Sequence, residues 1–345
     1  MMKDDKIDIS GKYLLKAVLL LSGIWVILFY GSALVLPLLV AAIIATLLNR
    51  PTEKLKKWGF PDWLAMTVSL ILTGIVLLLL FWLVSSQIGN MADEWSTIKE
   101  KATEKYGFFS EWAKRTIQID PARFVDNNID LTDRLKSISK IFIASFTDLL
   151  TQSFIILIYT ILFLMQKRMF MRFFKKLVKN DNAGSKILSG SSRIIGNYMF
   201  GKGIIMVFLF IVYYLGFTFG QVPFALFLAL FAALFSIIPY VGNLIGGGVA
   251  IILAYLYSGG TPALIVIAVI CVAQLLENYI LTPWIIGDKV DLNPFITIFG
   301  VILLSVLWGM VGAIIALPVL GVLKVLFQHT DGMEPYTYLL KKHEK

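Results

Sequence analysis

Charged residues are scarce in this chain, and their scarcity decides its broad class. Of the 345 residues, 15% are Asp, Glu, Lys or Arg and 58% are hydrophobic. Soluble domains carry about 25% charged and about 45–50% apolar residues. A chain with so few charges cannot cover an apolar interior with a polar surface. The composition therefore excludes an ordinary soluble domain and predicts a protein that lies in a lipid bilayer.

Residue types and motifs that catalysis and cofactor binding require are also lacking. The single cysteine, Cys271, cannot form an internal disulfide, and the two histidines, His329 and His343, lack the ligand spacing of a metal site. The chain contains no GxxxxGK[ST] phosphate loop and no convincing group of serine, base and orienting residue. We therefore predict that it is not an enzyme and has no cofactor or metal, with a proton or sodium as the expected coupling ion.

The excess of positive charge does not predict nucleic-acid binding. The formal net charge is +9, but the basic residues collect at the ends of apolar runs, where they set the orientation of membrane helices. No basic module with exposed aromatic residues stands apart from those runs. We expect the lipid bilayer as a partner, together with a small-molecule or cation substrate, and no nucleic acid.

What the chain does contain is a series of long apolar runs, which predicts an all-α, polytopic helical membrane protein with seven or eight spans. Breaks at proline and glycine predict broken or re-entrant helices in the C-terminal half. The predicted regions are N-terminal transmembrane helices (1–84), an extracytoplasmic helical arm (85–148), a transmembrane transport core (149–328) with a basic cytoplasmic loop (166–202), and a cytoplasmic tail (329–345).

The arm is predicted from a change of pattern after residue 84. Acids and bases balance there, and apolar residues recur with alternating spacings of three and four at Ile88, Met91, Trp95, Ile98 and Ala102. This is the seam of a coiled coil. A second apolar series follows at Leu131, Leu135, Ile138 and Phe142, so we expect the arm to fold back on itself. The seam would serve a homo-oligomer as well as contacts within one subunit, and both interpretations stay open.

The basic residues predict the orientation. Arg50, Lys54, Lys56 and Lys57 follow one apolar run. Another run is followed by a longer basic series, opposed only by Asp181: Lys167, Arg168, Arg172, Lys175, Lys176, Lys179, Lys186, Arg193 and Lys202. Because short basic segments stay in the cytoplasm, we expect both termini to be cytoplasmic and the arm to lie outside. Aromatic residues alternate with the bases after residue 167, which favours a helix lying at the membrane interface.

Glu277 is the first candidate for a functional residue. It is the only acid in the sequence that we place deep inside an apolar run, and intramembrane carboxylates are functional by default because they are unfavourable there. Gln274 lies one helical turn before it, and Asn278, Thr282, Pro283 and Gly287 follow. This group could bind a cation or relay a proton, and burial alone favours a protonated Glu277. The competing interpretation is a structural hydrogen bond to a broken helix.

A second candidate segment runs from Pro239 to Gly248. Proline removes a backbone donor and glycine permits tight turns, so Pro239, Gly242, Asn243 and Gly246 could line a site with backbone groups. The competing interpretation is close helix packing, because Gly242 and Gly246 form a GxxxG pair. The residues leave both open.

The segments IPYVGNLIGGG, QLLENYILTPWIIGDKVDLNPF and LWGMVGAIIALPVLGVLK, preceded by several N-terminal spans and a helical insert, resemble the autoinducer-2 exporter family of bacterial membrane proteins. The matching positions are Pro239, Gly242, Gln274, Glu277, Asn278, Pro283, Gly287, Pro294, Gly309, Gly312 and Pro318. The resemblance implies a permease of the bacterial inner membrane that exports autoinducer-2. For some relatives it implies sodium or lithium exchange for protons.

Residues and resemblance together predict a secondary transporter coupled to protons or ions. A sodium or lithium/proton antiporter is the first alternative, since it needs only the region of Glu277. A membrane scaffold whose arm binds partners is the second.

Overall fold

In the computed structural model, the described residues are 11–116, 153–177, 181–238, 241–287 and 291–342. They are almost entirely helical, and the one extended pairing among them is an isolated antiparallel bridge between Leu292 and Lys341. The helices are α1 Gly11–Tyr30, α2 Ser32–Lys57, α3 Asp62–Asp93, α4 Trp95–Thr116, α5 Ser153–Met165, α6 Lys167–Leu177, α7 Asp181–Phe219, α8 Ala225–Phe235, α9 Val241–Ser258, α10 Gly260–Leu275, α11 Pro294–Gln328 and α12 Glu334–Leu340. A π-helical segment, Leu276–Ile286, follows α10 directly.

The helical membrane class predicted from composition is confirmed. Five described helices are long and apolar enough to cross a bilayer, and up to six if the bent pair α5 and α6 forms one span. The five are in α2, α3, α7, α11 and the continuous element Gly260–Ile286. The count of seven or eight spans stays a prediction, because the other apolar helical stretches that are described are shorter: Val18–Tyr30 in α1, Ala225–Phe235 and Gly246–Ser258 in α9.

Helix α11 is folded into a hairpin. Trp308 and Gly309 leave the helical conformation, and Gly309 has a φ of +61°, which only glycine adopts readily. A Cβ atom on Gly300 would lie 2.6 Å from the Leu320 side chain. In a straight helix these residues would be about 30 Å apart. The two apolar runs that the sequence shows here, 295–308 and 313–327, therefore lie side by side.

Helices α8, α9 and α10 pack as successive antiparallel neighbours through glycine. A Cβ atom on Gly246 would lie 2.4 Å from the Ala232 backbone, and one on Gly247 would lie 2.7 Å from Ile270. Gly259, with a φ of +91°, makes the turn between α9 and α10. The hairpin expected around Pro239 agrees with the pairing of α8 and α9, although Pro239 itself lies outside the described residues.

The region around Pro283 differs from the expectation of a half-helix or hairpin. There α10 continues into the π-helical segment, so residues 260–286 form one uninterrupted element of 27 residues. Proline lacks the N–H that an α-helix needs and its ring clashes with the preceding turn. In the wider π-helical turns each N–H pairs one residue further back, and this segment accommodates Pro283 without ending.

Two apolar clusters form the interior. The first cluster joins α7, α8, α9, α10 and the π-helical segment around Ile205, Leu209, Leu228 and Val266. The second cluster joins α1, α2 and the α11 hairpin around Ile43, Val301, Trp308 and Ala316. Partly buried Met199 on α7 packs against both clusters, so α7 connects them.

The start of the predicted arm is helical. Helix α3 extends to Asp93 and α4 follows from Trp95, so the chain continues as helix beyond the apolar run. Ile98, from the predicted seam, is buried in the first cluster, and Lys101 and Lys105 lie over the rings of Tyr257 and Tyr255 on α9. The second apolar series, at residues 131–142, lies outside the described residues.

The segment predicted as a basic loop, 166–202, is helical at residues 167–177 and 181–202. Helix α6 carries Lys167, Arg168, Arg172, Lys175 and Lys176 and bends by 72° from α5. The remainder forms the first half of α7, a helix of 39 residues. Lys202 is therefore not a loop residue but lies in the middle of a helix.

Candidate ion-pair site in the helix bundle

Glu277 lies in the interior, as the sequence predicted for a functional acid. It is 7% exposed and occupies the second position of the π-helical segment. π-Helical turns are rare and occur frequently at functional sites. The segment therefore places an unusual backbone and a buried carboxylate at the same point of the bundle.

The partner of Glu277 is Lys202, from the middle of α7. Lys202 Nζ donates to Glu277 Oε1 over 2.5 Å, and the two side chains are 8% and 9% exposed. Burial alone favoured a protonated, uncharged Glu277. The structure adds a partner that this expectation did not include, since the Lys202 amine, 75 residues away along the chain, lies against the Glu277 carboxyl group.

The periodicity of α7 explains why Lys202 points inward. Tyr198, Lys202, Ile205, Leu209 and Tyr213 recur at spacings of three and four, which places them on one helix face. All five are buried. The apolar members bury this face in the first cluster, and Lys202 is carried into the interior with them.

Glycine brings α7 close enough for the pair to form. A Cβ atom on Gly201 would lie 2.8 Å from the Ile286 side chain, and one on Gly216 would lie 2.5 Å from Val269 on α10. These two contacts lie on either side of Lys202 and Glu277 along the helices. The close approach shortens the distance that a lysine side chain must span and leaves little room for other groups.

The described helix faces that carry the pair are mainly apolar. Tyr198 and Tyr213 are buried on the same face of α7 as Lys202. Ala273, Leu281 and Ile286 are the buried apolar residues of the helix that carries Glu277. An ion pair in such a place interacts strongly, because apolar surroundings screen charge far less than water does.

The other predicted residues of this segment have different positions. Gln274 is half-buried and has an interaction of its own, whereas Asn278 is exposed on the outer side of the helix. Thr282 is half-buried and its carbonyl accepts the N–H of Gly287, whose φ of +63° ends the segment. Pro283 is exposed. Glu277 and Gln274 therefore face the interior, whereas Asn278 and Pro283 are exposed.

Most of the second predicted segment cannot be compared with the position of Glu277. Pro239 lies outside the described residues, and Gly242 and Asn243 are in the first turns of α9, where side chains are not described. Gly246 packs against the backbone of Ala232 on α8. At Gly246 the geometry favours the packing interpretation over the lining of a site.

A second buried lysine joins the same part of the chain to α11. Lys324 Nζ donates to the Asp291 carbonyl over 2.6 Å and to Asp291 Oδ2 over 3.0 Å. The Asp291 side chain is 28% exposed, so this pair is more open than the first. Residues 277–291 are therefore attached at one end to α7 and at the other to α11.

A cavity of about 520 Å³ lies near the C-terminal helices. It is formed where the start of α7 meets the end of α11 and helix α12, and its lining includes Lys186, His329, Glu334, Thr337 and Lys341. Neither Lys202 nor Glu277 lines this cavity, so the volume of a cavity does not identify the candidate ion-pair site.

Sequence reasoning missed both buried lysines, although a signal for Lys202 was present. Lys202 was counted among the bases of the 166–202 loop because it stands just before an apolar run. Its place in the period of Tyr198, Ile205 and Leu209 shows that it belongs to the apolar face. Lys324 lies in the last apolar run of the chain and was not considered.

Comparison with known proteins shows that this chain is similar to membrane proteins described as transporters and permeases. The sequence model described as AI-2E family transporter matches residues 14–332. Putative permease PerM of Escherichia coli is 27% identical, over 91% of this chain and 92% of PerM. AI-2 transport protein TqsA of Escherichia coli is 22% identical, over 96% of this chain and 97% of TqsA.

A shorter match is found with a protein of Bacillus subtilis. Putative transport protein YueF is 32% identical, over 42% of this chain and 39% of YueF. The chain thus aligns with about two-fifths of YueF, and with 41% of putative transport protein YrrI from the same organism.

Proposed function

Because this chain belongs to the AI-2E transporter family, we propose that it is a secondary transporter that exports a small molecule such as autoinducer-2, coupled to protons or ions. The observation that carries the proposal is the buried Lys202–Glu277 pair beside a π-helical turn. Charged side chains inside membrane segments are unfavourable and mark ion or substrate pathways. The name of the relative TqsA supports autoinducer-2 as the substrate.

In the proposed mechanism, Glu277 exchanges a proton or cation as the substrate leaves. The π-helical segment supplies a backbone that can move, because conversion of one π-turn to an α-turn shifts the hydrogen-bond register by one residue. Such a shift would rotate Glu277 about the helix axis and away from α7. The paired short helices α8 and α9 form the second moving part, so that access alternates between the two sides.

The proposed location is the bacterial inner membrane, with both termini in the cytoplasm. The support is the basic cluster where α2 ends and α6 begins, since Lys167 bonds Asn49 over 2.6 Å and lies 3.8 Å from Glu53. Two basic segments thus meet at one end of the bundle. By the positive-inside rule that end is cytoplasmic, and the arm then lies outside.

The experiment uses purified protein in sealed liposomes that contain a pH-sensitive dye. Sodium, lithium or the furanone autoinducer-2 is added outside, and wild type is compared with Glu277→Gln. We expect a proton flux that requires one of these solutes and disappears in the variant. Absence of any solute-dependent flux in the folded wild type would contradict the proposal.

The sodium or lithium/proton antiporter is the second candidate, and one observation favours it. The Glu277 carboxylate already holds a cationic group, so its surroundings accept a positive charge at that position. An antiporter needs no pocket for an organic molecule. Proton flux driven by sodium or lithium alone would select it, whereas a requirement for the furanone would select the exporter.

A further inference from the structure

We propose that Lys202 is an internal competitor for the transported ion: its ammonium group occupies the Glu277 carboxylate in the resting state, and a monovalent metal cation binds Glu277 only by displacing it. The inference rests on the proposed transport function. It names the Lys202 ammonium as the group whose displacement would make transport an exchange of a cation for a proton. It assigns a functional role to a residue that lies outside the motifs that predicted the site.

The geometry of the pair suits displacement. Lys202 Nζ reaches a single oxygen of Glu277, Oε1, over 2.5 Å. A lysine ammonium is a compact charge on a flexible stem, unlike the planar two-point contact that arginine makes with a carboxylate. A small cation can therefore take the place of the ammonium at the carboxylate without a change in the net charge of the site.

Stability does not explain why this pair is present. Removing two charges from water is unfavourable by several kcal/mol per ion, and apolar residues of similar volume often replace a buried ion pair without loss. The surrounding cluster is apolar and closely packed, with Ile205 and Leu209 fully buried next to Lys202 along α7. A pair kept in such a place needs another role, and exchange of its cation supplies one.

No other charged group of the described residues is placed to substitute for Lys202. The neighbours of α7 are α2, α6, α8, α10, the π-helical segment and α11. The chargeable groups that face this stretch of α7 from these elements are few: Arg50 of α2 bonds Asn197, Lys324 of α11 bonds Asp291, α8 has none, and Cys271 and Tyr279 are exposed. Helix α6 meets α7 at Gly184, far from Lys202 along the helix.

In the exchange step, the cation forms its contact with the Glu277 carboxylate and the Lys202 ammonium loses one N–H bond. That proton passes to water on the side from which the cation came. One cation enters the site and one proton leaves it. On the opposite side the steps reverse, so that the cycle exchanges one monovalent cation for one proton without moving net charge.

The test compares Lys202→Arg with wild type in the liposome assay, with lithium or sodium as the driving ion. Arginine keeps its proton at any physiological pH, so it retains the positive charge but cannot release a proton. We expect proton flux to fall by at least about tenfold, or the half-saturating ion concentration to rise by about that factor. Lys324→Arg, at the other buried lysine, is the matched control and should behave as wild type.

The outcomes separate this inference from the proposed function. Flux that is lost in Glu277→Gln but unchanged in a folded Lys202→Arg variant would overturn the role of Lys202 and leave the transporter intact. No ion-dependent or solute-dependent flux in wild type would remove the proposed function itself.

A second measurement does not depend on how the variant folds. Calorimetry of lithium binding to wild type, in buffers of different ionisation enthalpy, counts the protons released. Displacement of a deprotonating Lys202 predicts about one proton per ion bound. Ion binding without proton release would overturn the proposal.

Discussion

The two buried lysine pairs of this molecule are built differently, although each attaches the same stretch of chain to a long helix. Lys202 and Glu277 are both enclosed, with side chains 8% and 9% exposed and one hydrogen bond between them. Lys324 is equally enclosed, but its partner Asp291 is 28% exposed and supplies a backbone carbonyl as well as a carboxylate. The second lysine therefore has two acceptors and the first has one.

This difference separates a structural contact from a contact that can be exchanged. Asp291 can remain hydrated when Lys324 is lost, and its carbonyl belongs to a segment that also pairs with the C-terminal chain, since Asn293 donates to the Leu340 carbonyl over 2.9 Å. Glu277 has no comparable exposure, so it depends on whichever cation lies against it. Because of this dependence, loss of the cation from Glu277 is unfavourable. For the same reason, replacement of that cation by another is suited to coupling ion binding to transport.

The largest loss of stability is expected when only one partner of the Lys202–Glu277 pair is replaced. Lys202→Met leaves the Glu277 carboxylate buried without a counterion, which should lower the free energy of unfolding by about 3–5 kcal/mol. Chemical unfolding in mixed detergent micelles measures this. The double variant Lys202→Met with Glu277→Gln should recover most of the loss, because no charge is then buried alone; a double variant as unstable as the single one would show that packing, not charge, determines the effect.

A smaller loss in the free energy of unfolding is expected when the close packing of α8 against α9 is disturbed. Gly246→Ala would place a Cβ atom 2.4 Å from the Ala232 backbone, which cannot rotate away, so α8 and α9 must separate. Overpacking of this kind lowers stability by about 1–3 kcal/mol. The counterpart in the second cluster is Gly300→Ala, where the Cβ atom meets the end of the Leu320 side chain, 2.6 Å away. Because that side chain can turn, Gly300→Ala should be the milder variant in the same unfolding assay.

Breaking the Lys324–Asp291 pair should lower the free energy of unfolding moderately. Lys324→Met removes hydrogen bonds to the Asp291 carboxylate and carbonyl, and bonds to charged groups contribute about 1.5–3 kcal/mol each at most. Because Asp291 can hydrate when the lysine is removed, we expect a total loss of about 1.5–2 kcal/mol, near the lower end of the range for a single bond of this kind. Equal losses for Lys324→Met and Lys202→Met would remove the distinction between the pairs.

The smallest effect is expected at the tip of the α11 hairpin. Trp308 Nε1 donates to the Leu28 carbonyl over 2.9 Å, which attaches the second cluster to α1. Trp308→Phe keeps an aromatic ring but removes the donor, so the free energy of unfolding should fall by about 0.5–1.5 kcal/mol. Ion-driven flux should be unchanged, since the Lys202–Glu277 pair lies in the other cluster. A loss of flux in a stable Trp308→Phe variant would show that the two clusters move together.

Much of the architecture followed from local pattern. The apolar runs at residues 64–84 and 204–219 of the sequence lie within α3 and α7, and Gly259 and Gly309 stand at turns of the C-terminal half. The sequence could not show that Pro283 lies in a continuous π-helical turn, because the same residue commonly ends a helix. Whether it ends one depends on what packs against the segment, here α7 at Gly201.

The candidate site was half visible in the sequence. Glu277 could be recognised because an acid among apolar residues is conspicuous, whereas Lys202 could not, because bases at the ends of apolar runs are ordinary. The grouping of Glu277 with Asn278 was made from adjacency along the chain. In the structure these two neighbours point to different sides, one buried and one exposed.

The sequence by itself determined that this protein is a helical membrane protein with one exceptional acid, because composition and apolar run length are properties of single segments in a bilayer. Only the tertiary structure decided what that acid does, because the partner of Glu277 is 75 residues away on another helix. A buried charge is neutralised by whatever the fold brings within about 3 Å. That proximity is a property of helix packing, which no single segment encodes.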